Sequence, residues 1–188
     1  MPRPRHRDGN GDAGDGRFTA GAALPIGMVN ETSALRNEPH VVVAADGTAP
    51  EALTRAESIS SRLGLPLVSG EASACGLVLV VSADRLALRD MRTPRLGAVQ
   101  ADFVAGPLGR RRVGGGLARQ MLARAVGFKG KALSVFDATA GLGRDAFLLA
   151  CLGCRVTAVE RSPIVAALFE DGLARAAREP SLFAMLNA

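Results

Sequence analysis

The chain has 188 residues, of which 48% are hydrophobic and 22% charged, and its formal net charge is +5. These values indicate a cytoplasmic protein with one small domain and part of another. The longest apolar run, Gly76 to Ala83, is far too short for a membrane span, and the charged, glycine-rich start lacks a secretory signal segment. We therefore expect neither a membrane-spanning nor a secreted protein.

Changes in composition divide the chain into four segments. Residues 1–38 form a tail rich in glycine and charge, which we expect to be poorly ordered. A small α/β module is predicted at 39–105, a basic linker and helix rich in glycine and arginine at 106–131, and a second α/β unit at 132–188. Because the module has only about sixty residues, we expect its stability to depend on docking to the unit behind it.

Strands and one helix alternate in the module. Val41–Ala45 and Leu77–Val81 are short apolar runs typical of buried strands, and Pro50–Leu63 has the spacing of an amphipathic helix. Two further runs, Leu86–Leu88 and Ala98–Val104, are candidate strands. The module contains no recognisable catalytic set of residues.

Positive charge is concentrated between the module and the second unit. Residues 85–131 contain eleven basic and two acidic side chains, which gives a local charge of +9. Arginine binds phosphate oxygens well and glycine lets the backbone approach a ligand closely, so this segment favours RNA over a small acidic metabolite. The alternative is a solvated basic face. The candidate RNA-binding residues are Arg110, Arg111, Arg112, Arg119 and Lys129.

A glycine-rich turn lies at the start of the second unit. Ala132–Phe136 is typical of a buried strand and Arg144–Leu152 of a helix, so Gly141 and Gly143 fall in the turn between them. Glycine permits unusual backbone dihedrals there, and it lets a ligand reach amide N–H groups at the positive end of the helix. The pattern predicts a nucleotide-binding turn.

An acidic residue follows the next strand. Arg155–Val159 alternates as a strand, and Glu160 lies at its C-terminal end, nineteen positions after Gly141. A carboxylate at this place can accept hydrogen bonds from both hydroxyls of a ribose. Ser162 and Pro163 then begin a further helix.

Two cofactor classes use such a unit. The sequence Gly-Leu-Gly-Arg-Asp-Ala at 141–146 satisfies the dinucleotide-binding pattern. Asp137, at the strand end before the glycines, would repel a pyrophosphate, whereas S-adenosylmethionine has no phosphate and carries a positive sulfonium. The residues therefore favour S-adenosylmethionine over a dinucleotide. A turn that merely packs the helix on the sheet is the structural alternative.

Cysteine provides no further site. Cys151 and Cys154 form a C-x-x-C pair, but the pair falls at a predicted helix end and has no second pair to complete a metal site. We expect these side chains to act as small hydrophobic residues.

Several motifs resemble one known family. They are Asp-Ala-Thr-Ala-Gly-Leu-Gly-Arg-Asp-Ala-Phe at 137–147, Gly-Cys-Arg-Val at 153–156, Glu-Arg-Ser-Pro-Ile-Val-Ala-Ala-Leu at 160–168, Asp-Gly-Leu-Ala-Arg at 171–175 and Leu-Gly-Ala-Val-Gln-Ala-Asp-Phe-Val-Ala-Gly at 96–106. Together they closely resemble the bacterial small-subunit (16S) ribosomal RNA guanine-N2 methyltransferase J family. The resemblance implies a Rossmann-like class I methyltransferase domain in the second unit. It also implies S-adenosylmethionine as methyl donor and a guanine exocyclic amine of ribosomal RNA as acceptor.

The resemblance implies roles for single residues. The two glycines of the turn would make room for the cofactor, Arg144 and Asp145 would contact its amino acid portion, and Glu160 would hold the ribose, with Arg161 near the adenine. Direct displacement at the methyl group needs no covalent nucleophile, so we assign no catalytic residue and expect no metal. The candidate cofactor-binding residues are Asp137, Gly141, Gly143, Arg144, Asp145, Glu160 and Arg161.

The resemblance also predicts an incomplete domain. The family continues with further strands and an Asp-Pro-x-Phe-Pro type loop beside the target base, whereas 132–188 provides two strands and two helices. We therefore expect a methyltransferase domain that is incomplete at its C-terminus, weak or absent cofactor binding, and no methyl transfer by this chain alone. A non-catalytic RNA-binding fragment and, less favoured, an NAD-dependent oxidoreductase are the alternative functions.

Overall fold

A computed structural model describes residues 26–29, 41–69, 76–105, 121–131 and 133–186, which form two sheets with flanking helices. In chain order the elements are β1 (Ile26–Val29), β2 (Val41–Ala45), α1 (Pro50–Leu63), β3 (Leu67–Val68), β4 (Leu77–Val81), β5 (Leu86–Asp90), α2 (Met121–Ala125), β6 (Ser134–Asp137), α3 (Arg144–Cys151), β7 (Arg155–Val159), α4 (Pro163–Ala177) and α5 (Pro180–Leu186). None of the helices in these ranges has the length and apolar character that a bilayer crossing requires.

The first sheet belongs to the module and has the strand order β3-β2-β4-β5. β2 runs parallel to β3 and β4, and β5 is antiparallel to β4. β2 consists of valine and alanine and β4 of valine and leucine, because both faces of these central strands are covered. Helix α1 buries one face through Ala52, Ala56, Ile59 and Leu63, and it ends at Gly64, which has a left-handed φ of 65°. The predicted bounds of β2, α1 and β4 are confirmed.

The strand predicted at Ala98–Val104 is wrong. Only Val99 pairs, through an isolated bridge in which its N–H and carbonyl bond to Leu88 at 2.8 and 2.9 Å. The chain then turns, because the Asp102 carboxylate accepts hydrogen bonds from the amides of Val104 and Ala105 at 3.1 and 3.0 Å. A side chain that binds its own backbone in this way competes with strand pairing.

The second sheet is parallel and has the order β1-β7-β6. β6, α3 and β7 form a strand–helix–strand unit, as the sequence predicts, and Asp137 at the end of β6 lies beside Ala158 of β7. β1 pairs with the other side of β7. The stretch for which the sequence predicts a poorly ordered tail therefore contains four residues that form a strand.

Helix α4 joins the two units. Its Ile164, Ala167 and Leu168 pack into the core of the module with β2, α1 and β4, while Phe169 and Leu173 pack into the core of the second unit with α3 and β7. A helix that is apolar on more than one face is a buried one. Helix α4 therefore belongs to the cores of both units. It positions the module against the turn that begins α3.

Ion pairs reinforce this contact. Asp171 of α4 is buried, and its carboxylate binds Arg55 of α1 and, at 3.0 Å, Arg175 one turn further along α4. Arg175 also donates to the carbonyl of Ala101 in the module. On the surface, Arg62 and Glu170 form a second pair at 2.5 Å.

Candidate cofactor site

The glycine-rich turn occupies the carboxyl end of β6, where α/β sheets bind ligands. β6 ends at Asp137, whose carboxylate accepts a hydrogen bond from the amide of Thr139 at 3.1 Å. The amide of Ala140 donates to the carbonyl of Val159 at the end of β7, at 3.0 Å. These bonds hold the turn between the ends of two neighbouring parallel strands.

The two glycines of the turn both have left-handed backbones but different surroundings. Gly141 has a φ of 54°, and a Cβ placed on it would meet nothing within 4 Å. Gly143 has a φ of 72°, and a Cβ there would lie 1.9 Å from Cε2 of Phe169. Gly141 therefore faces open space, whereas Gly143 is in van der Waals contact with a buried ring.

Glu160 follows β7 and bonds directly to the turn. Its Oε2 accepts a hydrogen bond from the amide of Gly141 at 2.9 Å, and its Oε1 accepts one from the amide of Ser162 at 2.8 Å. The carboxylate is half-buried. An ionised carboxylate has about four acceptor positions, so both oxygens retain acceptor capacity beyond these two bonds.

A cavity of about 400 Å³ opens beside the turn. Within the described part of the chain, the side chains of Arg144 and Asp145 are exposed and make no hydrogen bond or ion pair. The first amides of α3 have no acceptor inside the helix and carry its positive dipole end. The cavity is lined by Asp137, Thr139, Ala140, Leu142, Arg144 and Asp145.

The structure brings most of the predicted cofactor residues to one place. Asp137, Arg144 and Asp145 line the cavity. Gly141, between the lining residues Ala140 and Leu142, and Glu160, which binds its amide, are not themselves among the lining residues. Arg161 is exposed on the loop after Glu160 and does not line the cavity. Gly143 adjoins the cavity in sequence, but its missing side chain is required by Phe169.

Some features of the site are not evident from single residues. Thr139, Ala140 and Leu142 line the cavity, and they could have been found from their place inside the 137–147 motif. The contact of Phe169 with Gly143 has no such signal, because Phe169 lies on a helix that follows the next strand.

Of the five predicted RNA-binding residues, only Lys129 lies within the described ranges. Arg110, Arg111, Arg112 and Arg119 lie outside the described residues. Lys129 is exposed in the loop after α2 and makes no ion pair within the described ranges. In those ranges no group of three or more His, Cys, Asp and Glu side chains could hold a metal ion, and Cys154 is fully buried.

Comparison with known proteins identifies the family. A family model described as "Putative SAM-dependent methyltransferase" matches residues 59–188, which is more than half of the chain. The chain belongs to this methyltransferase family. Its cofactor is S-adenosylmethionine, and the predicted Rossmann-like α/β fold is confirmed. A crystal structure of a SAM-dependent methyltransferase from Neisseria gonorrhoeae is 33% identical with a TM-score of 0.55, and the match covers 77% of this chain and 56% of that one.

Curated relatives bear a more specific name. A "Ribosomal RNA small subunit methyltransferase J" from Aeromonas hydrophila is 51% identical over 134 residues, which cover 71% of this chain and 52% of that protein. The protein of the same name from Aeromonas salmonicida is 57% identical over 105 residues, which cover 55% of this chain and 42% of that protein. The chain thus spans about half the length of the curated relatives that it matches.

The residues of the site fit S-adenosylmethionine. Its ammonium and sulfonium groups are positive, and the cavity has Asp137 and Asp145 in its wall. Its carboxylate can pair with Arg144, and the space outside Gly141 allows a ligand to approach the backbone. A pyrophosphate would face the two cavity carboxylates and be repelled by them. The site therefore fits a positive sulfonium better than it fits a dinucleotide.

Proposed function

We propose that the cavity beside the glycine turn holds S-adenosylmethionine with the roles that the motifs predict. Arg144 and Asp145 bind the carboxylate and the ammonium of the amino acid portion. Glu160 accepts hydrogen bonds from the ribose hydroxyls, Arg161 lies near the adenine, and Asp137 faces the positive part of the cofactor. The observation that carries the proposal is the bond from the Gly141 amide to Glu160, because it fixes the carboxylate against the turn whose neighbouring residues line the cavity.

We propose further that the methyl group goes to ribosomal RNA, at the N2 amine of a guanine, in the cytoplasm. The names of the curated relatives support ribosomal RNA of the small subunit, and the family resemblance of the motifs supports the guanine amine. The bound cofactor supplies an electrophilic methyl group. The residues of this chain bind and orient the cofactor and exclude water from it, which is the main contribution a protein can make to a direct displacement.

We propose that the basic segment supplies the RNA contacts. Arg110, Arg111, Arg112, Arg119 and Lys129 belong to the stretch whose local charge is +9. The chain has no Trp and no Tyr, so phosphate contacts should outweigh base stacking. Such contacts position an RNA strand without reading its sequence. Selection of the target base would then depend on residues outside the basic segment.

Titration of the chain with S-adenosylmethionine, followed by amide NMR shifts, tests the cofactor site. The expected result under this proposal is a set of shifts confined to 137–145 and 160–162, in a titration extended to millimolar ligand because the sequence predicts weak or absent binding. Glu160→Gln should weaken binding about tenfold, since a ribose contact to a charged acceptor contributes about 1.5 kcal/mol. Glu57→Gln, on the exposed face of α1, is the matched control and should leave binding unchanged. Shifts elsewhere, or equal binding by both variants, would contradict the assignment.

Salt dependence of RNA binding tests the basic segment. Arg111→Ala and Arg178→Ala each remove one positive charge, and Arg178 is exposed at the end of α4. Binding of a small-subunit ribosomal RNA fragment should weaken for Arg111→Ala, and the slope of log affinity against log salt should fall by about one unit. Arg178→Ala should bind as the unmodified chain does. Equal effects of the two substitutions would leave only a general attraction between a basic protein and RNA.

A further inference from the structure

Three buried phenylalanines connect the module to the glycine turn. Phe103 comes from the module, Phe147 from α3 and Phe169 from α4, and each is at most 1% exposed. Phe103 stacks on Phe147 with ring centroids 4.4 Å apart and an interplanar angle of 12°. It also meets Phe169 edge-on at 5.9 Å and 71°. Phe103 is thus the member of this aromatic cluster that touches both others.

The aromatic cluster packs against the buried side of the turn. The ring of Phe169 fills the space that a side chain at Gly143 would need. Gly143 also links the turn to α3 by hydrogen bonds. Its amide donates to the carbonyl of Ala140 in the turn at 2.8 Å, and its carbonyl accepts from the amide of Phe147 in α3 at 2.9 Å. A shift of the Phe169 ring would therefore move the backbone that carries the open face of Gly141.

Phe103 is itself held firmly in place. A Cβ on Gly172 would lie 2.7 Å from Cβ of Ala101 and 2.9 Å from Cε2 of Phe103, so the segment at 101–103 is pressed against α4. Arg175 bonds the carbonyl of Ala101, and Asp102 closes the turn behind Phe103. Close packing of this kind transmits displacements, because protein interiors have few voids.

We propose that Phe103 is a positioning residue for the cofactor turn. Its ring, seated on Phe147 and Phe169, holds Gly143 and hence the amide of Gly141 in the geometry that Glu160 and the cofactor require. The module thereby sets the affinity of a site to which it contributes no cofactor contact. This inference rests on the proposed cofactor site and deepens it.

Phe103→Leu is the test, and Ile59→Val is its matched control. Both remove buried apolar atoms, but Ile59 lies on α1 in the core of the module, away from the aromatic cluster. Unfolding curves would first establish conditions in which both variants are fully folded. Phe103→Met, which keeps the length of the side chain but loses the stacked ring, is a milder second variant should Phe103→Leu fail to fold.

Two measurements are then made on each folded variant. The first is the dissociation constant for S-adenosylmethionine from the NMR titration, which should rise between about twofold and thirtyfold for Phe103→Leu and remain unchanged for Ile59→Val. The second is hydrogen exchange at the amide of Gly143, which bonds to Ala140. This exchange should become faster for Phe103→Leu alone.

The outcomes separate this inference from the proposed function. Binding to the turn by the unmodified chain, with the same affinity for Phe103→Leu, would overturn the positioning role and leave the cofactor site standing. A weaker affinity with unchanged exchange at Gly143 would also overturn it, because the effect would not pass through the turn. Absence of binding at the turn by the unmodified chain would overturn the proposed function and this inference together.

Discussion

Gly141 and Gly143 are two residues apart and share a left-handed backbone, but their surroundings differ. Gly141 borders open space and donates its amide to Glu160, whereas Gly143 rests on the ring of Phe169. Gly141 thus lies on the open side of the turn and Gly143 on the side that packs against the core. A glycine motif can therefore combine a requirement for ligand approach with a requirement for packing, and the two can be separated by mutation.

The largest effect is expected on the core side, for Gly143→Ala. The new Cβ would overlap the Phe169 ring at 1.9 Å in a backbone that alanine already disfavours. We expect a loss of about 4 kcal/mol or more in the free energy of unfolding, measured by urea denaturation. Gly153→Ala is the matched control, because Gly153 has a φ of 84° and nothing within 4 Å, so only the backbone term of about 1–2 kcal/mol applies. Equal losses would mean that Phe169 moves aside easily.

The next effect concerns α4, the helix that carries Phe169. The side chain of Asp171 is 4% exposed, and it bonds Arg55 and Arg175. The side chain of the neighbouring Glu170 is 18% exposed, and it bonds Arg62, whose side chain is 46% exposed. Asp171→Asn should cost about 1.5–3 kcal/mol, because it removes the buried carboxylate charge that pairs with the part-buried Arg55 and Arg175. Glu170→Gln should cost at most about 1 kcal/mol, as for a surface pair.

Chemical denaturation of these two variants, side by side, provides the measurement. If Asp171→Asn proved as mild as Glu170→Gln, the buried carboxylate would contribute no more to the contact between the two units than a surface ion pair does.

On the open side, Gly141→Ala should have a smaller effect on stability and a distinct effect on binding. The added methyl group meets no protein atom, so the cost in unfolding free energy is the backbone term of about 1–2 kcal/mol. It would project into the space proposed for the cofactor, so S-adenosylmethionine should bind at least about tenfold more weakly, a loss of about 1.4 kcal/mol. Gly153→Ala should match the first change and not the second, as calorimetric titration of both variants would reveal.

The smallest effect is expected for Ser162→Ala, beside Glu160. The Ser162 hydroxyl accepts a long hydrogen bond of 3.4 Å from the amide of Val165 at the start of α4. Loss of this cap should lower the free energy of unfolding by about 0.5–1 kcal/mol, observed as a modest fall in Tm. Ser162→Thr should restore most of it. A fall as large as that for Asp171→Asn would indicate that Ser162 also controls the position of Glu160.

Local patterns predicted most of the elements. The bounds of β2, α1, β4 and β7 follow from apolar spacing, and α4 begins at Pro163 after the Ser162 cap, as the sequence indicates. These features depend on residues close together in the chain, for which periodicity and capping are direct signals. The predicted strand at Ala98–Val104 fails because Asp102 bonds its own following amides. The pairing of β1 with β7 had no signal, since it joins distant segments.

The candidate site divides in the same way. Its carboxylates and glycines could be found from their spacing along strand, turn and strand, since parallel strands place their carboxyl ends together. Their detailed contacts could not, because the motif gives no sign that the Gly141 amide bonds Glu160. Arg110 to Arg112 lie outside the described residues, so their proposed contacts with RNA stay a prediction.

The amino-acid sequence was enough to locate the strands β2, β4 and β7, the glycine turn and the acidic residues, because spacing and backbone preference are local properties. It also determined the charge of the basic segment, since charge is a matter of composition. The contact of Gly143 with Phe169, the packing of α4 into the cores of both units and the contacts of Phe103 with the other two rings became evident only in the tertiary structure. These depend on contacts between segments far apart in the chain, which close packing selects and no local pattern encodes.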